Sequence, residues 1–232
     1  MWRETKKRGI DMKELKTTAL YDLTHTKAAD LLAKTEYPWE ALAGIADLIL
    51  ELGPNLPKDR YEERGEHIWI AKSAKVAPTA SITGPAIIGE ETEVRHCAFI
   101  RGNALVGDHA VVGNSTELKN VILFDNVQVP HYNYVGDSIL GYKSHMGAGS
   151  ITSNVKSDKK LVEIHTPEGN LETGRKKVGA LVGDNVEVGC GSILNPGTVI
   201  GRNSNIYPLS SVRGFVPAES IYKKQGEVVE RK

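Results

Sequence analysis

The sequence has few aromatics, 6% of its 232 residues, and only two cysteines, and it carries no net charge, with 29 Lys plus Arg against 29 Asp plus Glu. A balanced charge leaves no global field to draw the chain to nucleic acid or to an anionic membrane, so any charge that matters has to be local. No window approaches the roughly 18 consecutive apolar residues of a membrane span. The opening MWRETKKRGIDMKELK has no apolar core of the kind a signal peptide needs. The expectation is a cytoplasmic protein with no membrane and no nucleic-acid partner. Cys97 and Cys190 have no CxxC partner, which argues against a disulfide framework and against a structural zinc site; both are expected to be small buried hydrophobes.

What the sequence does have is a period of six. Ile70, Val76, Ile82, Ile88, Val94, Ile100, Val106, Val112, Leu118 and Phe124 follow one another at that step, as do Val182, Val188, Leu194, Ile200, Ile206 and Val212. Val129, Val135, Leu140 and Met146 bridge the two runs at steps of five or six. Sixteen such hits by chance, in a chain of ordinary apolar content, would be on the order of one in a million. Six residues are too few for a helical hairpin but suit one short strand plus a corner; three such units make a triangular coil whose in-phase aliphatics stack inside. The predicted fold is all-β, a left-handed parallel β-helix of hexapeptide repeats. Glycines directly after the inward residue, such as Gly89, Gly107, Gly113 and Gly183, are expected at tight corners needing a small or left-handed residue.

Around this domain, expected over 65–222, lie an N-terminal helical segment with its linker (1–64) and a tail (223–232). ALAGIADLILELG, between Pro38 and Gly53, has the spacing and stop signals of an amphipathic helix, and THTKAADLLAKT those of a shorter one. The segment is expected to cap or dock on the first coil. KKQGEVVERK reads as a solvated tail. Residues 153–177 interrupt the repeat, and PEGN between two alternating runs predicts a protruding hairpin. The interruption carries Lys156, Lys159, Lys160, Arg175, Lys176 and Lys177; a solvated loop and a phosphate-contacting or subunit-bracing arm are both open for it.

The strings GNSTELKN, VPHYNYVGDSILG and MGAGSITSN, following Arg101, closely resemble the acetyltransferase domain of bifunctional sugar-1-phosphate nucleotidylyltransferase/glucosamine-1-phosphate acetyltransferases. ETGRKKVGALVGDNVEVG and YPWEALAGI are similar to the archaeal type of these enzymes. No Gly-rich GxGTR-type nucleotide loop occurs in the sequence, so uridyl transfer is not expected. The resemblance implies acetyl transfer from acetyl-CoA to the amine of an amino-sugar phosphate, a step of nucleotide-sugar biosynthesis, in a homotrimer with sites between subunits and no metal. It implies His131 as the base, a task that an imidazole suits at neutral pH. Arg101 and Lys119 would hold the sugar phosphate, Tyr134 and Asn154 the sugar. Ala148 would line the acetyl-CoA site, and Arg213 falls one place from an arginine that faces the CoA phosphates. Lys159 or Lys160 corresponds to the family's loop lysine.

Two departures bear on acceptor choice: Val155 stands where the family has a tyrosine, and His145 where it has an asparagine. The seven histidines include no pair five residues apart, which argues against the zinc carbonic anhydrases that share the repeat. The alternative to an enzyme is a non-catalytic trimer that binds a sugar phosphate or a partner.

Overall fold

The computed structural model describes residues 12–224 and 226–231. The first eleven residues, which bear the signal-peptide reading, and two positions of the tail lie outside it. The chain winds a parallel β-helix with three faces. On the first, Ile68–Ala71, Ala86–Ile88 and Ala104–Val106 pair in parallel, followed by 121–123, 138–140, Ala180–Val182, Thr198–Ile200 and Phe215–Val216. The second runs from Lys75–Val76 through Gln128–His131 and His145–Met146 to Ser220–Lys224. The third runs from Ser81–Thr83 and Phe99–Arg101 through 117–118, Tyr134 and Ile151–Thr152 to Ser211–Val212.

The period of six is the inside of this helix. Ile88, Ile100, Val106, Val112, Leu118, Val129, Val135, Leu140, Met146, Val182, Leu194, Ile200 and Val212 are all fully buried, while Val76 and Ile82 at the first coil are half-buried. Strand partners advance by eighteen residues, as from Ile70 to Ile88 to Val106. Two coils advance by seventeen, Val106 facing Leu123 and Leu123 facing Leu140. The inward residue of that coil is therefore Leu123, one place before the expected Phe124. Phe124 takes the position that Gly107 and Gly141 hold in neighbouring coils, and its ring packs 5.1 Å from that of Tyr21.

The glycines after the inward residues are not the left-handed corners. Positive φ falls three places after the inward residue, at Glu91, Cys97, Asn103, His109, Lys143, Asn185 and Asn203 among others, and two places after it at Asn120 and Asp137. The glycines are needed for closeness of coils: a Cβ on Gly113 would lie 1.6 Å from the Pro130 carbonyl oxygen, and one on Gly107 2.6 Å from the Asp125 nitrogen. Cys97 and Cys190 are exposed, not buried, because they occupy corners rather than inward positions. Cys97 Sγ sits 3.2 Å from His96 Nε2.

The N-terminal segment is a strap and not an end cap. It is helical only in pieces, α-helical at Thr17–Leu20, Ala29–Leu32 and Ile45–Leu52, with 3-10 turns at Met12–Leu15, Leu23–His25, Pro38–Ala43 and Gly53–Asn55. The expected helix begins at Ile45 because Pro38 opens a 3-10 turn that runs up to Gly44. The strap lies along the first face. The Asp22 N–H donates to Asp184 Oδ2 at 2.7 Å, the Asp184 N–H to the Leu20 carbonyl, the Tyr21 hydroxyl to the Ile139 carbonyl, and the Asp125 N–H to the His25 carbonyl. Lys27 pairs with Asp108 at 2.6 Å, and Gly53 lies flat on Trp69. Outward residues of this face, Ile87, Leu105, Ile122, Ile139 and Leu181, are consequently as buried as inward ones.

The interruption does form a hairpin, Glu163–Thr166 against Gly169–Glu172. It folds back and does not protrude: Val162 and Ile164 are fully buried, and the hairpin packs on Thr198–Ile200 and Phe215–Val216. The tail is also a strand, Glu227–Glu230, antiparallel to Ser220–Lys224, its adjacent β-branched Val228 and Val229 suiting extended backbone.

Candidate functional site

Asn and Asp tolerate positive φ better than other side chains, and one corner of the helix stacks three of them. Asn103 Nδ2 donates to Asn120 Oδ1 at 3.4 Å and Asn120 Nδ2 to Asp137 Oδ1 at 3.0 Å. Asn120 Nδ2 also reaches the Leu42 carbonyl of the strap. Asp137 is 3% exposed; its carboxylate additionally receives Lys119 Nζ at 3.1 Å and Asn154 Nδ2 at 2.5 Å. Asn154 also donates to the Tyr134 hydroxyl at 3.2 Å. Burial holds the Tyr134 phenol above its ordinary pKa, the nearby Asp137 and Glu117 charges adding to this and the Asn154 hydrogen bond opposing it. Two of the expected residues, Lys119 and Asn154, thus converge on a carboxylate that sequence reasoning did not single out, and Asn154 links a third, Tyr134, to it.

Arg101 stands one coil before Lys119 in the same column. Its guanidinium donates to Glu117 Oε1 at 2.6 Å, the bond that raises its pKa. Arg213 lies further along this column, after Ser211–Val212, exposed and with no ion pair among the described residues.

His131 lies across the third face, at the opposite corner. From Tyr134 to Asp137 is three residues of strand, about 10 Å. The His131 imidazole is exposed and bonded to no described residue. Its backbone is fixed: the N–H donates to Asn133 Oδ1, and the carbonyl accepts the Gly149 N–H at 2.9 Å. Asn133 is 2% exposed and anchors the corner through the Gly147 and Ser150 carbonyls. Ala148 occupies the next rung of His131's own corner. It is exposed, and its N–H donates to no described residue. The structure therefore brings His131 and Ala148 together, and Lys119, Tyr134 and Asn154 together, with a face between the two groups. The two departures are both engaged: His145 Nδ1 pairs with Glu187 at 2.8 Å, and Val155 bridges to Lys177. Lys159 and Lys160 are exposed and do not line the cleft beside Lys119; Arg175, Lys176 and Lys177 do. Among the described residues no group of three or more His, Cys, Asp or Glu side chains could hold a metal, and no helix is long and apolar enough to cross a membrane.

Residues 82–165 match the GMPPB C-terminal domain family. The bifunctional protein GlmU of Methanococcus maripaludis (strain C5 / ATCC BAA-1333) is 38% identical over 136 residues, 58% of this chain and 33% of GlmU. The chain is similar to the C-terminal acetyltransferase part of GlmU. It spans about a third of the length of that relative. YaiX of Escherichia coli (strain K12), named as an uncharacterized acetyltransferase, is 27% identical over 205 residues, 81% of this chain and 87% of YaiX. Among solved structures, the acetyltransferase domain of PglB from Neisseria gonorrhoeae FA1090 in complex with acetyl coenzyme A overlaps with a TM-score of 0.32 at 14% identity, covering 66% of this chain and 53% of that one. The β-helix matches the expected fold, and the GlmU likeness matches the resemblance read from the ELKN, PHYNYVGDS and GAGSIT strings.

Proposed function

We propose that this chain transfers the acetyl group of acetyl-CoA to the amine of an amino-sugar phosphate, with His131 as general base. The observation that carries the reading is the pairing of His131 and Ala148 on adjacent rungs of one corner, in a chain similar to GlmU over this region. An acceptor amine attacks the thioester carbonyl, and the C–N bond forms as His131 takes the amine proton. The tetrahedral oxyanion requires a donor, for which the Ala148 N–H is unoccupied. Collapse breaks the C–S bond, and the imidazolium returns its proton to the CoA thiolate. No metal enters these steps.

The site is completed by a second copy of the chain in a homotrimer. A single prism offers flat faces, and its third face leaves large apolar side chains in water, with Phe99 and Ile193 about two-fifths exposed and Leu209 at its edge 85% exposed. Large exposed apolar side chains gathered on one face mark an interaction surface.

Thiol release from acetyl-CoA with glucosamine-1-phosphate and galactosamine-1-phosphate tests the reading. His131→Ala should lower kcat roughly 10²- to 10⁴-fold with little change in the acceptor KM, because it removes proton transfer and not binding. Full activity in a normally folded His131→Ala would exclude this mechanism. A parent protein that turns over neither amino-sugar phosphate would exclude the activity.

A further inference from the structure

Cys97 and Cys190 both stand exposed at corners of the β-helix, but their surroundings differ. Cys97 Sγ lies 3.2 Å from His96 Nε2, and the other ring nitrogen, Nδ1, lies 2.7 Å from Thr79 Oγ1. Thr79 Oγ1 also accepts the Cys97 N–H at 3.3 Å. The His96 carbonyl accepts the Asn114 side-chain amide at 3.0 Å and the Ser115 N–H at 3.1 Å, so the backbone that carries the pair is held from the next rung. Cys190 Sγ has no such partner among the described residues. His131 pairs with Asn114, which places His96 two rungs, about 10 Å, from the proposed base. The thiol therefore lies outside the acetyl-transfer steps.

A hydroxyl can accept from a protonated Nδ1 or donate to a bare one. Thr79 therefore satisfies the ring in both charge states, and the thiol proton can pass to Nε2 to leave a thiolate beside an imidazolium. A cleft of about 330 Å³ adjoins the pair, with Lys75, Glu93, Arg95 and His96 in its lining. Glu93 is paired with Arg95 at 2.9 Å and Lys75 makes no ion pair among the described residues, so the cleft carries a net positive charge. We propose that Cys97 is a modification site, a thiol that His96 activates for exchange with low-molecular-weight disulfides bearing carboxylates. Sγ attacks one sulfur of the reagent; the new S–S bond forms, the old one breaks, and the departing thiolate takes the proton held on His96. Cys97 is thereby oxidised to a mixed disulfide, and half of the reagent is reduced to a free thiol. The exchange needs nothing from the acetyl-transfer site.

The full chain incubated with oxidised glutathione at pH 7, with the adduct on each cysteine followed by mass spectrometry of peptides, provides the test, and Cys190 is the internal reference. An isolated cysteine is about 3% thiolate at that pH, so an adjacent proton acceptor can raise the reactive fraction by at most about 30-fold, and the weaker nucleophilicity of a paired thiolate takes back part of the gain. Cys97 should accordingly react roughly 3- to 10-fold faster than Cys190. His96 is exposed, so His96→Gln should melt with the parent while erasing that difference. Equal rates for the two cysteines in the parent overturn the proposal, as does a difference that survives His96→Gln. Referred to Cys190 in each case, cystamine, whose amines are cationic, should favour Cys97 less than oxidised glutathione does; the reverse order overturns the choice of a carboxylate-bearing reagent. An adduct that dithiothreitol does not remove is no mixed disulfide and overturns the exchange step.

Discussion

Tyr21 joins strap to prism through both its ring and its hydroxyl. It is 2% exposed, its ring tilted against that of Phe124, with its hydroxyl donating to the Ile139 carbonyl. Burial raises its pKa well above the ordinary phenol value, with the Asp184 charge adding and Arg202 opposing. The folded state thus keeps a proton that the unfolded state loses near pH 10, so the group's contribution is complete below that pH and declines as pH rises toward the folded pKa. In urea melts, Tyr21→Phe should cost about 0.5–1.5 kcal/mol at pH 7 for the lost hydrogen bond. The gap should close above pH 10, as the parent alone loses about 1.4 kcal/mol per pH unit; a gap constant to pH 11 would refute the assignment. At this scale the sequence strings single out His131, Tyr134 and Asn154, and the structure joins two of them, Asn154 donating to the Tyr134 hydroxyl. Asp137 was not readable, because its importance lies in what it meets across coils seventeen or more residues apart.

The repeat itself was legible as a run of inward aliphatics, and the hairpin through its turn residues. The glycine column was half read, since a small residue is needed there but a left-handed one is not: corners take positive φ, while the position after the inward residue takes closeness. Substitution separates them. Gly113→Ala drives a Cβ into the Pro130 carbonyl and should cost about 3 kcal/mol, the upper part of the overpacking range. Gly149→Ala, at φ +69° with nothing within 4 Å of the new atom, should cost only the left-handed strain, about 1–2 kcal/mol. Equal costs in denaturant melts would mean that the corner, not the coil spacing, governs both. The strap's course was also written in the sequence, in a signal of a different kind. On the first face the strands read AII, ALV, VIL and ALV, apolar without alternation, as strands covered on both sides do, whereas Glu187–Val188 and Ser211–Val212 alternate.

For the whole molecule, the proposed trimer rests on the uncovered third face. The trimer should sediment at about 76 kDa, three times the 25.3 kDa chain. Lys in place of Ile193, an exposed residue on that face, would bury a charge at the interface without touching the inward core, and should shift the protein toward monomer at micromolar concentration with its melting cooperativity retained. A parent that sediments as a monomer, or an Ile193→Lys that sediments with an unchanged parent trimer, would exclude this face. A bare β-helix needs each coil to meet only its neighbours, and such repeat arrays build up rung by rung. Here residues 20 to 22 bond to Asp184, more than 160 positions away in the sequence. The stretch made earlier has its seat on a rung made much later, so synthesis order and docking order run in opposite directions. Until residue 184 has emerged and its coil has closed, residues 20 to 22 have no complete seat, and the apolar side chains Leu20 and Tyr21 stand in water. This is the stretch of biosynthesis in which the chain is most open to aggregation, and the one in which a holdase would find most to grip.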